Sequence, residues 1–353
     1  MTLKSIGLAG ASFAFVLGTA AAQTPGAIQQ VDNTRQQNQL VKSAKSLQDG
    51  DSAPELYADE SSDLGPQTVL KPKMRHTLFE AMVDAQYFYT DNMFLNEQGR
   101  HGADVLVSTA QFAIAPTPYD FANGKLASRI GYQHQWFDFG LGDKDKIEVF
   151  DFTTSSSKSA GLNLFDFNAQ TAFTDVQWSR DNWTVEAGFD FRRLLSTANY
   201  EEFYKEYVPR WSVQKLVPVG QKAAVIIGYA GDYRFGKAQP FVFVPPSSST
   251  IRINPDLGDR TDHTLFLTYN RVLCRQAVFQ PYYQIKYTHF VDSTIGRRND
   301  LLSSVGAAVY WTVCPNFEMR AFVDYTMRFS DNSVVSEYSQ FDGGLGVNAT
   351  FRF

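Results

Sequence analysis

The sequence predicts an all-β protein: a single transmembrane antiparallel β-barrel of about 12 strands, preceded by a signal peptide and a polar N-terminal arm. Three observations predict this fold. Apolar and polar residues alternate over most of the chain, the alternating stretches are longer than ordinary strands, and short and long connections alternate between them. The 353 residues include 29 Phe, 17 Tyr and 5 Trp, and disordered chains are poor in aromatic residues. The net charge of −5 gives no reason to expect nucleic acid as a partner.

The first 22 residues have the features of a secretory signal peptide. Lys4 precedes an apolar run over residues 6–18, and Ala20 and Ala22 supply the small residues that a signal peptidase reads. We therefore predict cleavage after Ala22, with a buried N-terminal helix as the alternative. Gln23 follows the cleavage site, so a lipid anchor on cysteine is not indicated.

Residues 23–76 form the predicted polar arm. Seven glutamines lie within residues 23–48, and residues 49–65 carry six acidic side chains and no basic one. Ile28 and Val31, and then Leu40, Ala44 and Leu47, recur at spacings of three and four, which predicts a short amphipathic helix. We expect a solvated periplasmic linker. The alternative is a plug, or an arm over residues 23–67 that binds a periplasmic partner.

From residue 77 the apolar period is two, the period of a strand with one apolar and one polar face. The last strand is the clearest case, because every second residue from Leu345 to Phe353 is apolar. The strands are predicted at residues 77–90, 104–115, 125–138, 164–179, 182–193, 208–217, 223–235, 262–272, 278–291, 301–313, 317–329 and 340–353. The strongest stretches are long enough for a tilted membrane strand, which needs about 9–11 residues.

The connections indicate how these strands are arranged. Residues 180–182, 218–222 and 314–316 are tight turns, whereas residues 91–103, 140–163, 194–207 and 236–261 form long polar loops. Short turns at one end and long loops at the other are typical of transmembrane barrels. Because a bilayer cannot satisfy an open sheet edge, residues 77–353 are expected to close into one barrel with both chain ends on the same side.

The ending of the chain resembles the C-terminal assembly signal of Gram-negative outer-membrane β-barrel proteins. The resemblance rests on the terminal Phe353, on Phe351 and on the apolar residues at alternate positions before them. It implies recognition by the barrel-assembly machinery, contact with outer-membrane lipid, and a location in the bacterial outer membrane after export to the periplasm.

If the apolar register faces lipid, the other register lines the lumen. The charged pore-lining candidates are Glu80, Asp84, Arg129, Glu186, Asp190, Arg192, Asp232, Arg234, Lys286, Glu318, Arg320, Asp324 and Arg328, with Arg352 at the chain end. The uncharged candidates are Gln86, Gln133, Gln135, Asn168, Gln170, Gln280, Gln284 and Asn348. Acidic and basic candidates number seven each, so the lumen is expected to be hydrophilic without a strong preference for either sign of charge.

The function that this pattern predicts is a passive, weakly selective, porin-like channel for small polar solutes. Its constriction is expected at mid-strand, where residues of opposite sign would face each other across water: Asp84, Arg129, Glu186, Asp190, Arg234, Arg320 and Asp324. The alternative is a non-conducting structural or adhesive barrel whose lumen is plugged or salt-bridged.

An enzyme is not expected, because no catalytic constellation is visible. None of the five histidines has a serine two residues away, the spacing of outer-membrane phospholipases, and the dipeptide Asp262-His263 is a weak match to the pairs of omptin-type proteases. His134 falls on the lipid-facing register between Tyr132 and Trp136. No metal or cofactor motif is found, so we predict no catalytic, metal or cofactor residue.

The two cysteines, Cys274 and Cys314, both fall at predicted periplasmic turns. The periplasm is oxidising, but the two strands that precede these turns are two apart in the predicted order, and thus about 10 Å apart. A disulfide and a pair of free thiols are both open at this point.

Overall fold

The computed structural model describes residues 28, 30–32, 37, 77–95, 97, 100–141, 146–151, 156–197, 200, 202–220, 222–238, 242–243, 252–253, 258–292, 297–333, 335 and 337–353. The predicted signal peptide and most of the arm lie outside the described residues.

Twelve long strands form the main sheet. They are β1 (Phe79–Thr90), β2 (Ala103–Ile114), β4 (Gly124–Phe139), β7 (Phe167–Arg180), β8 (Trp183–Ser196), β9 (Glu202–Pro218), β10 (Ala223–Ala238), β13 (Asp259–Cys274), β14 (Ala277–Asp292), β15 (Arg298–Cys314), β16 (Phe317–Ser330) and β17 (Tyr338–Arg352). The connections hold the shorter strands β3 (Tyr119–Phe121), β5 (Lys146–Asp151), β6 (Ser156–Gly161), β11 (Val242–Phe243) and β12 (Arg252–Ile253), and one 3₁₀ helix, η1 (Leu162–Phe165).

The main sheet is closed. Each long strand pairs antiparallel with the next, and β1 pairs with β17 over the register from Glu80 opposite Arg352 to Thr90 opposite Asp342. Phe353 extends this seam: its N–H donates to the carbonyl of Phe79 at 3.0 Å, and its own carbonyl accepts from the Phe79 N–H at 2.8 Å. Closure leaves no unpaired edge among the twelve strands, so the predicted 12-strand barrel is confirmed.

One predicted loop is wrong. Residues 194–207 were expected to form a long loop, but β8 runs to Ser196 and β9 begins at Glu202, so only residues 197–201 connect them. The charged residues in this stretch continue the alternation of a strand. Glu206 is 2% exposed and points inward, while its neighbour Tyr207 is exposed on the outer face. The polar composition of this stretch led to its assignment as a loop, although it contains the start of a strand whose inner face is charged.

The connections differ between the two ends of the barrel. One end carries the tight turns 181–182, 219–222, 275–276 and 315–316, together with the start of β1 and the C-terminus. The hairpin of β3 and β4 also lies there, where Ala122 and Asn123 both adopt positive φ, as a two-residue type I′ turn requires. The other end carries the longer connections, including residues 91–102, 140–166 and 239–258.

The outer wall of the barrel is apolar. Each of the twelve strands exposes an aliphatic or aromatic side chain on its outer face, in chain order Val83, Phe112, Ile130, Val176, Val185, Val213, Ile227, Leu265, Ile285, Val305, Val323 and Leu345. A ring of this kind around the whole circumference is the surface that a bilayer requires of a spanning barrel. Among the described residues, no helix has the length and hydropathy needed to cross a membrane.

Candidate functional site: the barrel lumen

The inward register carries the predicted pore-lining residues. Along each strand, buried or half-buried residues alternate with exposed ones, and the thirteen charged candidates fall on the buried side: Glu80, Asp84, Arg129, Glu186, Asp190, Arg192, Asp232, Arg234, Lys286, Glu318, Arg320, Asp324 and Arg328. The uncharged candidates also lie on the inward register, apart from Asn168 and Gln170 on β7, which pair with the outward positions Trp136 and His134 of β4.

On β7 the sequence-based register is wrong by one residue. Asn168 and Gln170 were expected in the lumen, but Gln170 accepts a hydrogen bond from Nε of the outward-facing Arg193 at 2.7 Å. The inward residues of β7 instead include Asp175, which is 6% exposed. The prediction assigned the large aromatic residues of β7 to the lipid face. Phe173 instead points into the lumen, where the Arg129 guanidinium lies 5.1 Å from its ring centroid.

A charged network, here called the basal network, follows the wall toward the end with the tight turns. Arg129 donates to Asp175 at 2.7 and 2.9 Å and lies 3.6 Å from Glu80. Glu80 in turn pairs with Arg352 at 2.9 Å. The network therefore joins the seam strands to β4 and β7.

Arg210 extends the basal network to β8 and β9. Its guanidinium contacts three carboxylates, those of Asp175, Glu186 and Asp190. It lies across Gly188, where an added Cβ would be 2.8 Å from the guanidinium carbon. The absence of a side chain at Gly188 therefore lets Arg210 lie flat against the wall and reach all three acids.

A second network, here called the arginine ladder, crosses five strands closer to the long-loop end. Arg192 on β8 lies 3.3 Å from Glu206 on β9, and Arg234 on β10 lies 3.4 Å from the same carboxylate. Arg234 also contacts Asp232 at 2.9 Å and Asp262 on β13 at 3.3 Å. Thr288 on β14 donates to Asp262 at 2.6 Å.

Between β10 and β13, like charges of the ladder lie directly opposite each other, and opposite charges lie on the diagonal. Asp232 is in register with Asp262, and Arg234 with Arg260. Like charges in register are destabilising, so each group depends on its diagonal partner. The ladder is stable only as a complete set, because a buried charge that loses its partner is costly.

The third charged cluster lies at the seam. Arg320 on β16 donates to both carboxylate oxygens of Asp84 on β1, at 2.6 and 2.9 Å, and to Gln86 at 2.8 Å. Between them, Gly346 on β17 leaves room for the guanidinium. The expectation that acidic and basic side chains face each other across water is not met here, because this pair joins along the wall.

Part of the lumen is apolar, which corrects the expectation of a hydrophilic inner wall on nearly every strand. Phe137 and Phe167 stack with ring centroids 4.3 Å apart, and both are at most 1% exposed. They belong to a buried cluster, here called the apolar side: Phe88, Met93, Ala103, Val105, Val107, Phe137, Phe139, Leu162, Phe165, Phe167, Ala169, Leu194, Phe203, Tyr204, Ala308, Tyr310 and Phe322. Its residues come mainly from β1, β2, β4 and β7 and from the long-loop end.

The described residues of the arm lie inside the barrel. Residues 28, 30–32 and 37 have helical backbone. Ile28 and Val31 pack against the apolar side, and the Asp32 carboxylate accepts two hydrogen bonds from Arg192, at 3.1 and 3.2 Å. The spacing of Ile28 and Val31 that predicted an amphipathic helix thus serves contacts within the lumen.

Gln37 places the arm against a second part of the wall. Its side chain accepts a hydrogen bond from Thr268 at 3.4 Å, and its backbone carbonyl accepts one from Gln280 at 3.4 Å. Thr268 lies six residues before the tight-turn end of β13, whereas Arg192 lies four residues before the long-loop end of β8. Of the described arm residues, Gln37 therefore lies nearer the tight turns and Asp32 nearer the long loops.

A cavity of about 270 Å³ lies between the arm and the ladder. The barrel contributes seven basic residues to its lining, Arg192, Arg210, Arg234, Arg260, Lys286, Arg298 and Arg328, and six acidic ones, Glu186, Asp190, Glu206, Asp232, Asp262 and Asp300. Asp32 of the arm is a seventh carboxylate. Among the described residues, the arm therefore adds one carboxylate to the wall of the cavity.

The sequence reasoning missed several of these residues. Asp175, Arg210, Arg260, Asp262, Arg298 and Asp300 all lie on the inward register, and Glu206 lies in the stretch assigned to a loop. Extending the alternation of β13 and β15 to their first residues would have found Arg260, Arg298 and Asp300, whereas Asp175 was missed because of the register error on β7. No signal in the sequence pairs Asp32 with Arg192, because the contact joins residues 160 positions apart.

The weak candidates for chemistry are separated by the fold. Asp262 points into the lumen, while the next residue, His263, faces outward and contacts the Tyr229 hydroxyl at 2.7 Å. His134 stacks on Trp136 of the outer face at 4.2 Å. In the part of the chain that the structure describes, no three His, Cys, Asp or Glu side chains are grouped to hold a metal ion.

The two cysteines are free thiols in this structure, and both are exposed. Cys274 ends β13 and Cys314 ends β15, with β14 between them. Of the two alternatives left open by the sequence, the structure contains the unpaired one. The reason is the strand spacing, since strands two apart exceed the Cα separation of a disulfide.

No protein-family model matches the chain, and no curated protein matches its sequence. Among solved structures, the chain is similar to an outer membrane channel from Pseudomonas putida F1, with 9% identity, coverage of 81% of this chain and 100% of that one, and a TM-score of 0.44. It is also similar to the β domain of the Bordetella autotransporter BrkA (11% identity, 78% and 100% coverage, TM-score 0.43). A third similar structure is the KdgM porin in complex with disordered oligogalacturonate (11% identity, 76% and 99% coverage, TM-score 0.36). These similarities concern the barrel fold alone.

Proposed function

We propose that the chain is a passive outer-membrane channel for small polar solutes whose lumen is closed by its own N-terminal arm. The observation that carries the proposal is the bidentate contact between Asp32 and Arg192 inside the barrel. A guanidinium and a carboxylate joined by two hydrogen bonds form a geometrically specific pair. The contact therefore gives the arm a defined seat in the lumen.

The apolar outer wall and the C-terminal signal support a location in the bacterial outer membrane. Because transmembrane barrels have short periplasmic turns and longer extracellular loops, we propose that the tight-turn end, the C-terminus and the start of β1 face the periplasm. A periplasmic partner of the arm, residues 23–67, is proposed to act from that side.

The charges of the lumen support weak selectivity once the arm has left. The barrel contributes six acidic and seven basic residues to the cavity, and most of them are paired along the wall. A nearly balanced lining creates no strong barrier for either ion type. The channel is proposed to act without catalysis, cofactor or metal.

The alternative function is a non-conducting structural or adhesive barrel. It is favoured by the apolar side, which fills part of the lumen with rings such as Phe137 and Phe167, and by the salt bridges that run along the wall. In this alternative the arm is a permanent part of the core.

Planar-bilayer conductance separates the two functions. The full chain, a variant lacking residues 23–67 and the variant Asp32→Asn are reconstituted in parallel. We expect rare or small openings from the full chain, discrete ohmic conductance from the deletion variant, and more frequent openings from Asp32→Asn. Asp120→Asn is the matched control, because Asp120 pairs with Lys125 at 2.6 Å on the exposed β3–β4 hairpin. If neither the full chain nor the deletion variant conducts, the channel proposal fails and the structural alternative replaces it.

A further inference from the structure

The Arg192 side chain has the geometry of a carboxylate-binding site. Its side chain is 7% exposed, and Nη1 and Nη2 hold the two oxygens of Asp32. Its Nε is buried without a hydrogen-bond partner among the described residues. When the arm leaves, Nη2 loses the Asp32 oxygen as well, whereas Nη1 keeps Glu206 at 3.3 Å. A desolvated guanidinium with two open donors then faces the cavity.

The contact of Arg192 in this structure specifies the charge of the occupant. Asp32 presents one carboxylate to the buried Arg192 guanidinium, and a buried charge that loses its partner is costly. An occupant that replaces Asp32 therefore carries a carboxylate of its own.

The surroundings of Arg192 limit the size and character of the occupant. The cavity of about 270 Å³ is small, and its wall mixes charged groups with apolar side chains such as Leu194, Val208 and Leu302. Small-ligand sites typically combine such apolar contacts with a few polar groups that fix orientation. The cavity therefore suits a small organic anion.

We infer that Arg192 binds the carboxylate of a small organic anion that passes through the barrel. When no such anion is bound, Asp32 of the arm occupies the same binding site on Arg192. The inference rests on the proposed channel function and names its substrate class and its gate. Solute and arm compete for one guanidinium, so the arriving anion releases the arm. Neutral solutes lack the competing group and leave the arm in place.

The competition is tested with gluconate and its neutral counterpart sorbitol, which differ in one carboxylate. In planar bilayers with the full chain, we expect gluconate to raise the open fraction in a saturating manner and sorbitol at equal concentration to have no effect. Asp32→Asn removes the competitor, so about tenfold less gluconate is expected to bind half of the sites, since a charge-assisted hydrogen bond contributes about tenfold or more. Arg192→Gln is expected to abolish the gluconate response. Arg180→Gln, in an exposed turn, is the matched control.

A binding measurement keeps this inference separate from the channel proposal. Gluconate that binds the folded chain raises its unfolding temperature by mass action, and this shift needs no conduction. We expect the shift in Asp32→Asn and in the unsubstituted chain, at lower concentration in the former, and none in Arg192→Gln. If the deletion variant conducts but gluconate shifts neither opening nor unfolding, the carboxylate site is refuted while the channel stands. If gluconate binds Arg192 in a chain that never conducts, the channel fails, and with it the assignment of the anion as a transported solute.

Discussion

The two sides of the lumen are stabilised in opposite ways. On the apolar side, Phe137 and Phe167 gain free energy from burial itself, and no individual neighbour is indispensable. On the charged side, Arg192, Glu206 and Arg234 are desolvated at a cost that is offset only while every partner is present. The arm therefore makes two kinds of contact: the apolar side contributes burial, and the charged side contributes a specific ion pair.

The arm has one contact of each kind. Ile28 and Val31 pack on the apolar side, and Asp32 pairs with Arg192 on the charged side. Apolar contacts are non-directional and insensitive to the charge of a solute, so they cannot distinguish an anion from a neutral molecule. Any solute-dependent release of the arm therefore acts through the charged side.

The largest effect is expected from a truncation on the apolar side. Phe167 is fully buried and contacts the rings of Phe137, Phe139 and Phe203. Phe167→Ala is expected to lower the free energy of unfolding by about 3–5 kcal/mol, the usual cost of removing a buried ring. Urea titration in phospholipid vesicles measures it. The matched control is Phe189→Ala, at an outward position that is 43% exposed, and equal losses from the two would contradict the assignment of Phe167 to a packed core.

A smaller effect is expected on the charged side. Arg210→Met leaves the carboxylates of Asp175, Glu186 and Asp190 without the cation they share. Because this guanidinium is 23% exposed, we expect a loss of about 1–3 kcal/mol, below the range for fully buried pairs.

Urea titration in phospholipid vesicles measures the loss in Arg210→Met. Arg180→Met removes the same charge from the exposed end of β7 and should change little. Equal losses from the two variants would contradict the role of Arg210 as the shared partner of three carboxylates.

The sequence was sufficient for the barrel and insufficient for the division of its lumen. Alternation located the strands because lipid and lumen impose opposite polarity on successive residues. Alternation did not reveal the inward-facing residues where both faces of a strand are apolar. Trp136 and Phe137, for example, point outward and inward from adjacent positions of β4. Such pairs erase the period of two, so the apolar side left no pattern to detect.

The charged side was only partly predictable for a different reason. Arg192, Asp232 and Arg234 follow from strand register alone, but their partners lie on other strands, and the shared carboxylate of Glu206 fell in a stretch read as a loop. The contact of Asp32 depends on the path of the arm, which no local pattern encodes. The register of one strand predicts which of its side chains face the lumen. Which of these side chains pair with each other depends on which strands lie next to each other in the barrel.

The last effect, which appears only as a change with pH, is expected at the rim of the apolar side, where Asp166 lies between η1 and β7. Its carboxylate accepts a hydrogen bond from the Phe139 N–H at 2.8 Å. Burial nonetheless raises its pKa from the ordinary 3.8 to about 7, with a further contribution from the nearby charge of Asp138. Between these two pH values the folded chain holds a proton that the unfolded chain has released, so stability falls as pH rises from about 4 to about 7.

Asp166→Asn should remove this pH dependence and leave a flatter profile of unfolding temperature between pH 4 and pH 7. The control with the opposite sign is Asp331, in the loop between β16 and β17. Its carboxylate accepts hydrogen bonds from the backbone and side chain of Asn299, at 2.6 and 2.5 Å, which hold its pKa below the usual value. Asp331 therefore stabilises the fold above its unfolded pKa, and this stabilisation is lost as pH falls. In Asp331→Asn, this decrease in unfolding temperature at low pH should be absent. If the two substitutions change the profile in the same direction, burial does not govern Asp166, and the rim does not share the apolar character of the lumen side beneath it.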